Sequence, residues 1–252
     1  MARTQQREAR LGPNKTGIAT SPVQIEKMLA GIDKLATPSS EGNERAIAQM
    51  RSQHIESAEP VGSVPPPTSM KGLAKSGAKM MLGERPQLLL DKLGERLAVE
   101  RTATRLYDAL IAKFRTQPES AISDGDLVRI RNEEAKHFAL VAGCIEKLGG
   151  DPTAQTPCAD VAGVEALGLI QVITDPKTTI AQSLHAILIA ELTDNAAWED
   201  LIALAEKMGE TDLVPEFEHA LEHEAEHLKL VRGWLRTLME QESDVLKAGS
   251  KQ

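Results

Sequence analysis

The sequence predicts an all-α protein: four long helices in a bundle, with one long crossover between the second and the third, preceded by a largely disordered N-terminal tail. Three observations carry this expectation. From Pro86 onward, apolar residues recur at helical spacing through long, nearly unbroken stretches. Aromatic residues make up only 2% of the chain and β-branched runs are short, which favours helix over sheet. Residues 1–85 differ in kind, with Pro65-Pro66-Pro67, Gly/Ser punctuation and scattered charge.

Within that tail, residues 36–80 read as a flexible linker. Before them, Ser21-Pro22 is a helix-start signal, and Ile25, Met28, Leu29, Ile32 and Leu35 follow on one stripe, so a short amphipathic helix is expected at about 22–35. The first long helix is expected over 86–116, opened by Pro86 and closed before Pro118. Its stripe is Leu89, Leu93, Leu97, Leu106, Leu110 and Phe114, with Glu100 in the middle. The second starts at the N-cap signal Ser123-Asp124, carries Glu133, Glu134 and His137, and ends at Gly149-Gly150. Residues 151–175, with an apolar segment at 161–173, are too long for a tight turn and read as a crossover. The third long helix is expected over 176–208, apolar around Glu191 and ended by Gly209. The fourth runs from Thr211 or Asp212 to Glu240. The chain therefore divides into a tail (1–85), a helical bundle (86–242) and a short C-terminal tail (243–252).

Composition excludes several functions. The net charge is −8, and the tail holds 12 Lys/Arg against 8 Asp/Glu, which leaves −12 on the remainder. Such a surface does not neutralise phosphates, so no nucleic acid is expected as a partner. The two cysteines, Cys144 and Cys158, form no Cys-x-x-Cys, which excludes a disulfide framework, a zinc ribbon and a rubredoxin-type iron centre. The basic N-terminus lacks the apolar centre of a signal peptide. No run of about 18 apolar residues is found, so no membrane span and a cytoplasmic location are expected.

The chemistry concentrates in residues 218–227, which hold three of the six histidines and four glutamates. Residues three apart on a helix share a face, so Glu224 and His227 can point at one spot, and Glu134 and His137 repeat the spacing. One Glu-x-x-His is common on a charged helix face. Here, however, an internal offset of 90 or 91 residues superposes Glu100 on Glu191, Tyr107 on Trp198, Leu110 on Leu201, Glu134 on Glu224 and His137 on His227. The lone glutamate precedes the pair by 34 residues in one half and 33 in the other. A rival pair, Glu216 and His219, lies too near the turn to reach the level of Glu191, whereas Glu224 lies at the matching distance. Two facing αα-hairpins then bring Glu100, Glu134, His137, Glu191, Glu224 and His227 together.

Four buried carboxylates need cations, and two divalent metals neutralise them. Carboxylate and imidazole donors suit iron or manganese, with zinc a surrogate. Glu134 and Glu224 can bridge, while Glu100 and Glu191 can be terminal ligands. Of the neighbours, His219 and His223 read as solvated, Tyr107 and Trp198 as packing, and Cys144 as a packed thiol. Asp194 is placed to orient a ligand, Thr104 and Asn195 are matched polar residues, and His185 is off the site's face.

With these six residues in this order, residues 86–242 resemble the ferritin-like superfamily of ferritins, rubrerythrins, manganese catalases and di-iron enzymes. The resemblance implies a four-helix bundle with two metal ions, iron first and manganese second. Ferroxidase or peroxide-detoxifying chemistry is the leading function. Manganese-catalase-like dismutation and a non-catalytic metal-binding or stress module are the alternatives. Iron, dioxygen or peroxide, and an external electron donor would be the partners, and homo-oligomerisation is left open.

Overall fold

The structure is a computed structural model. It describes residues 86–249 continuously and, before them, residues 13–14, 17–18, 30–31, 44–57, 62, 64–66, 70 and 72–74. Regular structure among the described residues is helical, apart from a two-residue antiparallel pair, β1 (Pro13–Asn14) and β2 (Gly17–Ile18). Of the helix expected at 22–35, Ala30 and Gly31 are helical and the other positions lie outside the described residues. The linker reading of 36–80 is corrected at α1, a 14-residue helix over Glu44–Ser57. No Gly or Pro falls between Gly42 and Pro60, and Ala, Gln, Met, Arg and Glu supply helix propensity. Val64 is also buried, in one cluster with Leu89, Leu90 and Leu148.

Capping residues set the helix ends. The first long helix, α2, spans Pro86–Thr116. The second, α3, spans Asp124–Lys147, with the Ser123 hydroxyl accepting from the Asp126 amide. It ends in a Schellman turn: the Gly150 amide donates to the Ile145 carbonyl at 2.8 Å and the Gly149 amide to that of Glu146 at 2.9 Å. Gly149 has φ +88°, and a Cβ there would meet the Gly72 backbone at 2.7 Å, so glycine is required twice over.

The crossover holds two short helices, α4 (Pro157–Glu165, capped by Thr156) and α5 (Leu167–Thr174). The third long helix, α6, spans Ile180–Lys207 and starts later than the sequence suggests. Asp175 is extended and its carboxylate accepts from the Lys177 amide at 2.8 Å, so a turn precedes the helix. A capping box between Thr179 and Gln182 then opens α6. After a 3-10 turn at Thr211–Leu213, α7 runs over Val214–Gly249, beyond the expected end at Glu240.

The four long helices pack as a ring: α2 on α3, α2 on α6, α6 on α7, and α3 on α7. Helices α4 and α5 lie against α2, and α5 also against α6. The stretch Pro157–Thr174 is long and apolar enough, by length and composition, to cross a membrane. Asp160, Glu165 and Gln171 interrupt it, which is why a search for an unbroken apolar run passes over it.

Two apolar clusters fill the interior. One gathers Leu106, Leu110, Leu127, Ile130, Leu184, Ile187, Val231 and Trp234. The other gathers Leu93, Leu97, Val141, Ile145, Trp198, Leu201, Phe217 and Ala220. Each long helix contributes to both, and burying a Leu or Phe contributes about 1.5–3 kcal/mol. Between its two contributions, every long helix carries buried acids or histidines: Glu100 on α2, Glu134 and His137 on α3, Glu191 and Asp194 on α6, Glu224 and His227 on α7. The apolar layers on either side fix these polar groups at one level.

Candidate metal centre

The structure brings all six sequence-predicted residues together, none more than 3% exposed. They form two overlapping donor sets. Glu100, Glu134, His137 and Glu224 each offer an atom within 4.8 Å of the others, and so do Glu134, Glu191, Glu224 and His227. Glu134 and Glu224 belong to both. His137 Nδ1 lies 2.7 Å from Glu224 Oε1 and 3.7 Å from Glu100 Oε2. His227 Nδ1 lies 3.3 Å from Glu134 Oε1, 3.4 Å from Glu224 Oε2 and 4.0 Å from Glu191 Oε2.

These atoms converge without pairing well. Both oxygens of Glu134 and Glu224, Oε2 of Glu100 and Glu191, and Nδ1 of both histidines are buried with no hydrogen-bond partner. Natural interiors satisfy such groups, so carboxylates and imidazoles that crowd one space with only each other as ion-pair neighbours are what an ion site presents. The proton balance agrees. Burial pushes the Glu134 carboxyl well up, and the charge of Glu224 adds to the shift. Burial and then Glu224 push Glu191 up to about 8. Burial also raises Glu100, against the pull of Arg96. Burial disfavours the charged forms of Glu224 and His227 as well, yet their neighbours outweigh it. His137 and His227 bring Glu224 down to about 2, and Glu134 and Glu224 carry His227 up to about 11. The cluster thus keeps protons that cations can replace, and its residues can hold metal ions.

Outward from the cluster, several contacts were not foreseen. Arg96 is buried, with Nε 2.8 Å from Glu100 Oε1 and Nη2 paired with Asp194 Oδ1. Asp194 therefore holds Arg96 rather than a ligand glutamate, which corrects the expectation for it. The clue was available: Arg96 sits one turn before Glu100. Tyr107, expected to pack, donates its hydroxyl to Glu191 Oε1, and burial with the Glu191 charge raises its pKa well above that of a free phenol. Trp198 does pack, edge-on to His137 at 5.9 Å and beneath the Arg96 guanidinium at 5.5 Å.

The reading of His223 as solvated is also corrected. It is half-buried, and its Nδ1 lies 3.2 Å from His137 Nε2. His227 Nε2 meets Glu133 Oε2 at 2.8 Å, and Arg129 Nη1 donates to that same oxygen at 3.0 Å. His219 remains exposed beside Glu222. Thr104 and Asn195 play matched parts, donating to the carbonyls of Glu100 and Glu191 at 2.9 Å each. Asn195 also reaches the Glu224 carbonyl at 3.0 Å, tying α6 to α7. His185 is exposed away from the cluster. Cys144 is a buried free thiol whose pKa burial raises to about 11.

A groove of about 360 Å³ between α2, α4 and α6 is lined by Leu88, Val99, Ala162 and Ala197. Arg96, which touches Glu100, lines it too. Compared with known proteins, the chain matches no family model, no curated protein and no solved structure.

Proposed function

We propose that the chain is a dimetal-carboxylate protein of the ferritin-like type, reacting ferrous iron with dioxygen or peroxide. In this reading the ring of α2, α3, α6 and α7 is the four-helix bundle, with α4 and α5 as its crossover. The observation that carries it is the sharing of Glu134 and Glu224 between the two donor sets. Glu134 and Glu224, shared in this way, would hold two ions as one unit. Glu100 and His137 would complete one position, and Glu191 and His227 the other. Ferrous ions bound there would supply one electron each, and two such electrons with two protons balance the reduction of hydrogen peroxide to two waters.

The chain's own residues prepare that chemistry. Arg96 and Tyr107 each occupy one oxygen of a terminal glutamate, which leaves the other for an ion. The apolar layers keep water from the carboxylates. His219, His223 and His137 lie in a row from the surface inwards, with ring centroids 4.5 and 5.4 Å apart, and His223 Nδ1 holds His137 Nε2.

The test is anaerobic loading with ferrous iron, then addition of peroxide or dioxygen while ferric absorbance and oxidant are followed. The reading expects oxidation of two irons per chain, lost in Glu134→Ala/Glu224→Ala. Manganese uptake with rapid oxygen release from peroxide would assign the dismutation alternative instead. Two bound ions without turnover would leave a binding module.

A further inference from the structure

The internal repeat makes the two halves of the site comparable position by position, and they differ in the groups that back their ligands. Glu100 and Glu191 are repeat equivalents, and each has one oxygen held by a protein donor. For Glu100 the donor is the Arg96 guanidinium; for Glu191 it is the neutral Tyr107 hydroxyl. The repeat equivalent of Arg96, at an offset of 91, is Ile187. The equivalent of Tyr107 is Trp198, whose Nε1 has no hydrogen-bond partner. Arg96 is only 2% exposed, so water screens its charge little. Asp194 shares that charge, but Nε remains on Glu100.

The histidines differ in the same sense. The residue before each Glu-x-x-His reaches across to the histidine of the other half. Glu133, itself held by Arg129, backs His227, and its equivalent at an offset of 90, His223, backs His137. A carboxylate behind an imidazole fixes its orientation and makes the ligating nitrogen a stronger donor. A neighbouring imidazole brings no negative charge.

Resting on the dimetal reading, we propose that the two ion positions are unequal by construction. The position at Glu191 and His227 takes the first divalent cation and holds it tightly. The position at Glu100 and His137 takes the second and exchanges it. The site is thus one resident ion beside one replaceable ion, and Arg96, Glu133 and His223 are the positioning residues that set the difference.

The experiment is an anaerobic titration of the metal-free full-length chain with Co²⁺, followed by calorimetry and by ion counting in native mass spectrometry. Two ions are expected, with dissociation constants apart by about ten-fold or more. Glu133→Gln, at a half-buried position, should weaken the tighter step about ten-fold and spare the weaker one. His223→Glu should strengthen the weaker step and bring the two constants together. Two ions with equal constants, or Glu133→Gln acting on the weaker step alone, would overturn the proposal and leave the dimetal reading standing. No cobalt uptake at all would overturn the dimetal reading itself.

Discussion

Helix α7 carries the same four-residue pattern twice, with opposite outcomes. Glu216 and His219 lie at the surface: Glu216 meets Lys147 at 3.5 Å and His219 meets Glu222 at 3.5 Å, every partner at least 48% exposed. Glu224 and His227, eight residues on, are fully buried and converge on the carboxylates of three other helices. Eight residues turn a helix by about 80° and advance it about 12 Å, enough to carry the pattern from the solvent face to the interior and to the level of Glu191. Spacing makes a ligand pair available, but facing and level decide whether it meets partners. Energetically the two pairs are opposites. Exposed pairs contribute about 0–1 kcal/mol, whereas buried carboxylates cost several-fold more until protons or cations neutralise them.

The contrast is sharpest in its dependence on pH. Glu191 has a folded pKa of about 8, above its ordinary value of 4.5. Its contribution is full below pH 4.5 and is lost as pH rises through 8. His227, raised from 6.5 to about 11, loses its contribution above neutrality in the same direction. Glu224 works the other way: brought down to about 2, it loses its contribution as pH falls from 4.5 towards 2. Metal-free protein should therefore be most stable near pH 5 and weaken by a few kcal/mol, to order of magnitude, by pH 9. Thermal melts in chelator across that range measure this, and Glu191→Gln should flatten the alkaline slope. A profile unchanged by Glu191→Gln would remove the contrast.

Metal binding is expected to have the next largest effect. At a free concentration 100 times the dissociation constant, a bound divalent ion adds about 2.7 kcal/mol, which chelator removes. Calorimetric melting of loaded and chelated protein measures the difference, and titration in two buffers of different ionisation enthalpy should register protons released on uptake. The smallest effect belongs to the exposed pair. Glu216→Ala/His219→Ala should shift stability by about 0.5 kcal/mol or less and leave ion uptake unchanged. A loss of uptake there would show that the surface pair takes part in binding.

Much of this arrangement was legible in the residues. Pro86 and Pro118 bracket α2, Gly149 and Gly209 close α3 and α6, and the repeat of Glu100 and Glu134 in Glu191 and Glu224 reveals two matched hairpins. The capping box at Thr179 and Gln182 was equally readable, but Asp175-Pro176 gave a louder signal for a helix start. What stayed hidden depends on distances across the interior. Whether His223 faces solvent or His137 is set by how α3 and α7 cross, and a pattern along one helix does not encode that. Arg96 and Glu133 look like surface charges until their partners Asp194 and His227 are placed by other helices. The burial of Val64 was hidden for the same reason, since it belongs to a cluster that residues of all four long helices build.

The central claim is that the buried pattern, and not the exposed one, makes a two-ion site. Counting divalent ions per chain by native mass spectrometry, under anaerobic conditions with iron and manganese both supplied, tests it most directly. The account predicts two ions in the wild-type chain, two in Glu216→Ala/His219→Ala and none in Glu134→Ala/Glu224→Ala. A wild-type chain that takes up no ions, or a Glu134→Ala/Glu224→Ala chain that still binds two, would contradict it.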